Sequence, residues 1–201
     1  MKKINNYDIN KKRNGENKIK MKNIKNYNLE ELKQELISLG EKPFRAEQIF
    51  NWLYKEKVKK FDEMTNLSLE LREKLKQNYT MCNFNILKKQ ESLDGTKKYL
   101  FELDDGNIIE AVFMEYNNRN TICISSQVGC KMGCKFCAST KNGLERSLLA
   151  SEIIEEIYLL ERENSDINNI VVMGIGEPLD NFSNIEKFIK IITDNNGRNL
   201  S

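Results

Sequence analysis

Three cysteines fall within eight positions in the run Cys130-Lys131-Met132-Gly133-Cys134-Lys135-Phe136-Cys137, spaced Cys-x3-Cys-x2-Cys. One short loop can thereby offer three thiolates to a single metal centre. A cubane iron–sulfur cluster held entirely by protein takes four thiolates, so three would leave one iron open to a substrate. A structural zinc site is the other reading of the same residues. The chain has no His, so a fourth zinc ligand would have to be Cys82, Cys123 or a carboxylate. Structural zinc sites more often pair two Cys-x2-Cys knuckles, and only one such knuckle is present. A disulfide framework is disfavoured by five cysteines in a chain of 201 residues that lacks a signal peptide.

A second run with chemical character is Met173-Gly174-Ile175-Gly176-Glu177-Pro178-Leu179-Asp180-Asn181. Its glycines let backbone approach a ligand closely. They fit a tight strand-to-helix turn equally well. Cys123 lies seven residues before Cys130, and a free Cys on a strand is most often a small buried residue. Glu110, alone on its strand, reads by itself as a solvent-facing carboxylate.

The elements that must position these residues follow from apolar periodicity. Leu29, Leu32, Leu36 and Leu39 recur at helical spacing before Gly40. Pro43 opens a second helix from Phe44 to about Lys55, with Phe44, Ile49, Trp52 and Leu53 as its apolar face. A third helix follows Asn66, with Leu69, Leu71 and Leu75 inward. Strand character starts near Phe84. Lys97–Leu103 alternates Tyr99, Phe101 and Leu103 with outward residues. Asp104-Asp105-Gly106-Asn107 is a turn sequence, and Ile108–Tyr116 is the return strand. Thr121–Ser125 is a further strand leading into the cysteine loop. An apolar helix over Ala150–Arg162, a buried strand Ile170–Met173 and a last helix capped by Ser183 with Glu186 complete the order. From Thr121 onward this is β, loop, α, β, loop, α. In α/β barrels the chemistry collects in the loops that follow the strands, and both motifs occupy such loops.

The bulk composition sets few further limits. With 39% hydrophobic and 31% charged residues, the chain is polar but globular. Residues 1–26 hold nine Lys/Arg against Asp8 and Glu16, so the remainder is net acidic although the total is +2. Such a basic arm could attract RNA phosphates, or be a solvated tail. No apolar run is long enough to span a membrane, and no apolar stretch follows the arm as a secretory signal would require. Free thiols and an oxygen-sensitive cluster fit the reducing cytoplasm. Met21 reads as an alternative start to Met1.

Several stretches together resemble the bacterial RNA adenine C2-methyltransferases of the radical S-adenosylmethionine (SAM) superfamily. They are Gly40–Ala46, Asp94–Tyr99, Cys123–Cys130, the cysteine triad, Ala138–Leu144 and Met173–Asn181, and the similarity runs from about Met21 to Ser201. The resemblance implies a [4Fe–4S] cluster on Cys130, Cys134 and Cys137, and SAM as second cofactor, its amino group held by Gly176 and Glu177. It implies Cys123 as the thiol that releases methylated RNA from a covalent adduct, and Glu110 as proton acceptor. It further implies 23S ribosomal RNA and tRNA as substrates, an electron donor as partner, a disulfide bond, and a monomer when complete. The related methylation at adenine C8 and a zinc-stabilised RNA-binding module are the competing functions.

The expected organisation is α/β. A basic extension over 1–26 precedes a helical domain over 27–82 and a β-hairpin linker over 83–118. The first two βα units of a partial (β/α)6 radical SAM barrel then occupy 119–201. No cysteine follows Cys137, so the methyl-carrying cysteine of the resembled family has no counterpart here. The expectation is a C-terminally shortened copy, inactive alone and poorly soluble through its open sheet edge.

Overall fold

The computed structural model describes residues 21–82, 84–116, 119–164 and 166–200. Most of the expected basic extension, residues 1–20, lies outside the described residues. Its end does not. Strand β1 (Lys22–Asn23) and a 3-10 turn (Ile24–Asn26) belong to the folded N-terminal module. The helices α1 (Leu29–Ser38), α2 (Phe44–Tyr54) and α3 (Leu69–Asn78) follow, and β2 (Tyr79–Thr80) returns to pair in parallel with β1.

Helix α1 starts in a reciprocal cap. Glu31 N–H donates to Asn28 Oδ1 and Asn28 N–H donates to Glu31 Oε2, both at 3.0 Å. The three helices bury Leu32, Leu36, Ile49, Phe50, Leu53, Leu71 and Leu75 together. Two residues expected in that core are outside it. Leu69 is exposed because a step of two residues from Leu71 turns about 200° around the helix. Phe44 stands opposite Ile49 and Leu53 for the same reason, and its ring packs against the Arg45 guanidinium instead.

The hairpin residues form no separate linker. Strands β3 (Asn85–Glu91), β4 (Lys97–Glu102), β5 (Ile108–Tyr116) and β6 (Arg119–Cys123) are consecutive antiparallel neighbours. A small antiparallel pair, β7 (Gln127–Gly129) with β8 (Leu144–Ser147), brackets the cysteine loop. Helix α4 (Ala150–Glu163) then leads to β9 (Asn169–Val171), which pairs in parallel with β6 and completes a five-stranded sheet. Helix α5 (Phe182–Ile192) closes the order. One sheet face sends Tyr99, Phe101, Ile109, Ala111, Phe113 and Ile122 into the core shared with Ile153, Ile154 and Ile157 of α4. By strand alternation the other face carries Leu100, Glu110, Val112, Met114 and Cys123.

Three local expectations change here. Strand β9 is only half-buried, and Met173 is 75% exposed, because β9 is the outermost strand of its sheet. Ser183 is not the cap of the last helix. A 3-10 turn (Pro178–Asn181) runs directly into α5, so Ser183 already lies inside it and Glu186 pairs with Lys190. Ile189 on α5 is exposed, whereas Ile191 is buried with Ile185, Phe188 and Ile192.

The N-terminal module is fastened to α4 by a buried ion pair. Lys25 Nζ lies 2.6 Å from Glu155 Oε2, the two side chains being 1% and 4% exposed. Arg162 holds the other Glu155 oxygen at 3.0 Å, and the Lys25 ammonium sits over the Tyr158 ring. Tyr54 Oη donates to the Lys25 carbonyl at 2.9 Å and fixes the backbone beneath the pair. Removing one partner of such a pair strands the other charge away from water. Lys25→Met should therefore lower unfolding stability by about 3 kcal/mol in urea titrations, and Lys25→Met with Glu155→Leu should recover most of that loss.

Candidate functional site

The two motifs meet at the ends of β6 and β9. The parallel register Thr121 with Asn169, Ile122 with Ile170 and Cys123 with Val171 brings both strands to the same end together. The ladder continues past them, since Ile124 N–H donates to Val171 O at 3.0 Å and Gly174 N–H donates to Ile124 O at 2.9 Å. Beyond it the loops clasp each other. The Ile175 carbonyl accepts from both Ser126 N–H at 2.9 Å and Gln127 N–H at 3.1 Å. Ile175 N–H donates to Ser125 Oγ at 3.0 Å, and that hydroxyl donates to the Glu110 carbonyl at 2.7 Å.

This closeness explains the glycines. A Cβ on Gly174 would stand 2.7 Å from the Ile124 carbonyl oxygen. Gly176 has φ +106°, and a Cβ there would stand 2.6 Å from Gln127 Cβ. Both demands are met only by glycine. Gly176→Ala should cost about 2 kcal/mol of stability in denaturant unfolding, because strain and a steric clash act together.

Two buried polar groups support the clasp from below. Asn181 Nδ2 donates to the carbonyls of Ser126 and Leu148, each at 2.8 Å. Glu156 of α4 is fully buried and accepts from Ser125 N–H at 3.0 Å. Burial pushes its carboxyl well above the usual range, against the Ser125 N–H bond, which favours the charged form. Sequence reasoning assigned no role to Ser125, Gln127, Glu156 or Asn181. The available signal was the polar run Ser125-Ser126-Gln127 placed at the end of an apolar strand.

The cysteine loop leaves from β7. Cys130 is buried and its N–H donates to the Gly143 carbonyl at 2.9 Å. Cys134 is exposed and Cys137 half-buried, and Cys137 N–H donates to the Cys134 carbonyl at 3.0 Å. Among the described residues, no group of three or more His, Cys, Asp or Glu stands together as a metal site. The loop's backbone hydrogen bonds lie at its ends, while residues 131–136 face solvent. The donor set, three thiols from one run in a chain without His, fits an iron–sulfur cluster with one open iron. A fourth thiol does not come from Cys82, which accepts from Asn23 Nδ2 at 2.7 Å inside the N-terminal module.

Cys123 and Glu110 share the sheet face that α4 does not cover. Cys123 is opposite Val112, and Glu110 is two residues from Val112 on the same strand. The Glu110 carboxylate pairs with Lys98 Nζ at 2.8 Å. Glu177 is half-buried in the second loop and accepts from Leu179 N–H at 3.2 Å. The expected disulfide is not formed, because all five cysteines are free. The ladder neighbours of Cys123 are Val112 and Val171, which leaves it no thiol partner across either strand.

Burial separates the thiols chemically. It pushes the Cys82 thiol up to about 12 and raises that of Cys123 as well. A thiol with that value is deprotonated only about once in ten thousand molecules at pH 8. Under native conditions at pH 8, iodoacetamide should label the exposed Cys134 and leave Cys82 unmodified. Unfolding should unmask Cys82, and peptide mass spectrometry reads both outcomes.

Comparison with known proteins gives a consistent picture. Two family models match: the ribosomal RNA large subunit methyltransferase N-terminal domain over residues 22–81, and the radical SAM superfamily over residues 124–201. A probable dual-specificity RNA methyltransferase RlmN of Lachnoclostridium phytofermentans is 53% identical over 180 residues, covering 89% of this chain and 51% of the relative. The protein of the same description in Bacillus subtilis is 47% identical over 181 residues, covering 88% and 50%. The crystal structure of a radical SAM methyltransferase from Sphaerobacter thermophilus superimposes with a TM-score of 0.81 at 34% identity, covering 90% of this chain and 54% of that one. The chain spans about half the length of the curated relatives it matches.

Proposed function

Since the chain belongs to the RlmN family of radical SAM methyltransferases, we propose that it serves methylation of adenine C2 in 23S ribosomal RNA and tRNA. The observation that carries this reading is the clasp between the loops after β6 and β9. It unites a three-thiol loop with a Gly-Glu-Pro loop on one rim. Adenine C2 is an aromatic carbon of little nucleophilicity, so polar methyl transfer fails there and radical chemistry from a cofactor is needed.

Cys130, Cys134 and Cys137 would hold the [4Fe–4S] cluster. Bound there, the cluster supplies one electron and an iron free to take the amino and carboxylate groups of SAM. Glu177 offers a carboxylate beside Gly176, where backbone can approach an ammonium closely. Glu110 and Cys123 lie on the same open face. There Glu110 would accept the proton that leaves C2, and the Cys123 thiolate would attack the carrier sulfur of the RNA adduct, forming a disulfide with it while the released carbon keeps the electron pair and takes up a proton. The raised thiol of Cys123 keeps its proton at neutral pH, so its attack requires a base nearby. Ribosomal RNA, tRNA and an electron donor are the partners this reading requires, and the cytoplasm is the compartment that suits it. Among the described residues no helix is long and apolar enough to cross a membrane.

Anaerobic reconstitution with iron and sulfide tests the reading. The chain should take up about four irons and show a brown absorption that changes when SAM is added. Alanine at Cys130, Cys134 or Cys137 should abolish uptake, whereas Cys123→Ala should retain it. Stoichiometric zinc with no iron uptake would favour a zinc-stabilised module instead.

A further inference from the structure

Gln127 is fully buried, yet its amide group spans both loops of the rim. Its Oε1 accepts from Glu177 N–H at 2.9 Å. Its Nε2 donates to Asp180 Oδ2 at 2.9 Å and, at greater length, to Ser147 Oγ at 3.4 Å. The other oxygen of Asp180 is 2.6 Å from Lys131 Nζ. Lys131 directly follows Cys130 and begins the exposed stretch of the cysteine loop. Asp180 lies three residues past Glu177. One buried amide thus fixes the Glu177 backbone with its oxygen and orients Asp180 with its nitrogen.

We infer that Gln127 is a positioning residue which, through Asp180 and Lys131, couples the cysteine loop to the Gly-Glu-Pro loop. A solvent-facing lysine–carboxylate pair by itself contributes little, because both side chains lose rotamer freedom to form it. Here the carboxylate is already held by a buried donor, so Lys131 meets an oriented acceptor. The lysine and the hydrogen bond from Gln127 together hold the Asp180 carboxyl below its ordinary range. Glutamine suits the junction for a specific reason: it must accept on one side and donate on the other. A glutamate there can accept from Glu177 N–H, but it turns a negative oxygen toward Asp180. The consequence is mutual. Ordering of the cysteine loop steadies Glu177, and ordering of Glu177 steadies the loop.

The role rests on the proposed cofactor site, but its first test does not require the cofactors. Hydrogen–deuterium exchange on the metal-free chain should show faster exchange for Gln127→Glu both at the hydrogen-bonded amides of the cysteine loop, Cys130 and Cys137, and over 174–181, about fivefold or more, with 29–54 unchanged. Faster exchange confined to 174–181, or none, would overturn the coupling. Should Gln127→Glu not fold, Asp180→Asn and Lys131→Met alter the same link at partly exposed positions and should loosen the same cysteine-loop amides. Lys131→Arg, which keeps a cation against Asp180 and leaves the Gln127 hydrogen bond intact, should retain the protection that Lys131→Met removes; equal loss in both variants argues against the link. After cluster reconstitution, Gln127→Glu should bind SAM about tenfold more weakly at unchanged iron content. Unchanged SAM affinity would overturn the positioning role. A reference chain that takes up no iron would count against the functional reading alone, and the exchange result would stand apart from it.

Discussion

The pairing of β6 with β9 is the constraint on which the rest of the structure depends. These two short strands are the only parallel neighbours in the five-stranded sheet described, and parallel pairing sends both chains out at one end. Their ladder continues through Ile124 and Gly174 until the Ile175 carbonyl takes two N–H donors from the opposite loop. The backbone donors and acceptors at the strand ends therefore satisfy one another across the rim. A buried amide left unpaired would cost free energy, so these mutual hydrogen bonds hold the geometry.

Helix α4 acts as the base of that rim and as the anchor of the N-terminal module. It buries Ile153, Ile154 and Ile157 against the sheet. The same helix offers Glu156 to Ser125 N–H and Glu155 to Lys25. These adjacent carboxylates serve opposite purposes. Glu155 is paired with Lys25 and Arg162, while burial raises the Glu156 carboxyl well above its usual range. One connection of the helical module to the site therefore runs through α4 and these two neighbouring side chains.

The sheet also separates a packed face from an open one. Alternation places Ile109, Ala111, Phe113 and Ile122 on the helix-covered side, and Glu110, Val112 and Cys123 on the other. The Cys123 thiol and the Glu110 carboxylate consequently lie on a face that α4 leaves open, next to the rim that holds Glu177. The partial exposure of Cys123 follows from this division, whereas Cys82 is buried inside the N-terminal module.

Much of this was legible before any coordinates. The three-cysteine spacing, the Gly-Glu-Pro run and the βαβ order are local patterns, and local patterns determine which elements form and which loops follow strands. The helix starts at Leu29, Phe44 and Ala150, and the strand Ile108–Tyr116, were readable because apolar periodicity and turn residues act over a few positions. The exposure of Met173 was not, since it depends on β9 ending the sheet, whereas Leu69 and Phe44 stand away from the core by the turn of their own helices. The burial of Lys25 at the foot of a basic stretch was hidden as well: its partner Glu155 is 130 residues away. Gln127 read as one polar residue in a motif, and only the tertiary contact with Glu177 and Asp180 gave its two-sided amide a task. Residue chemistry was thus written locally, whereas the pairing of charges, the depth of burial and the meeting of two loops were decided by long-range packing.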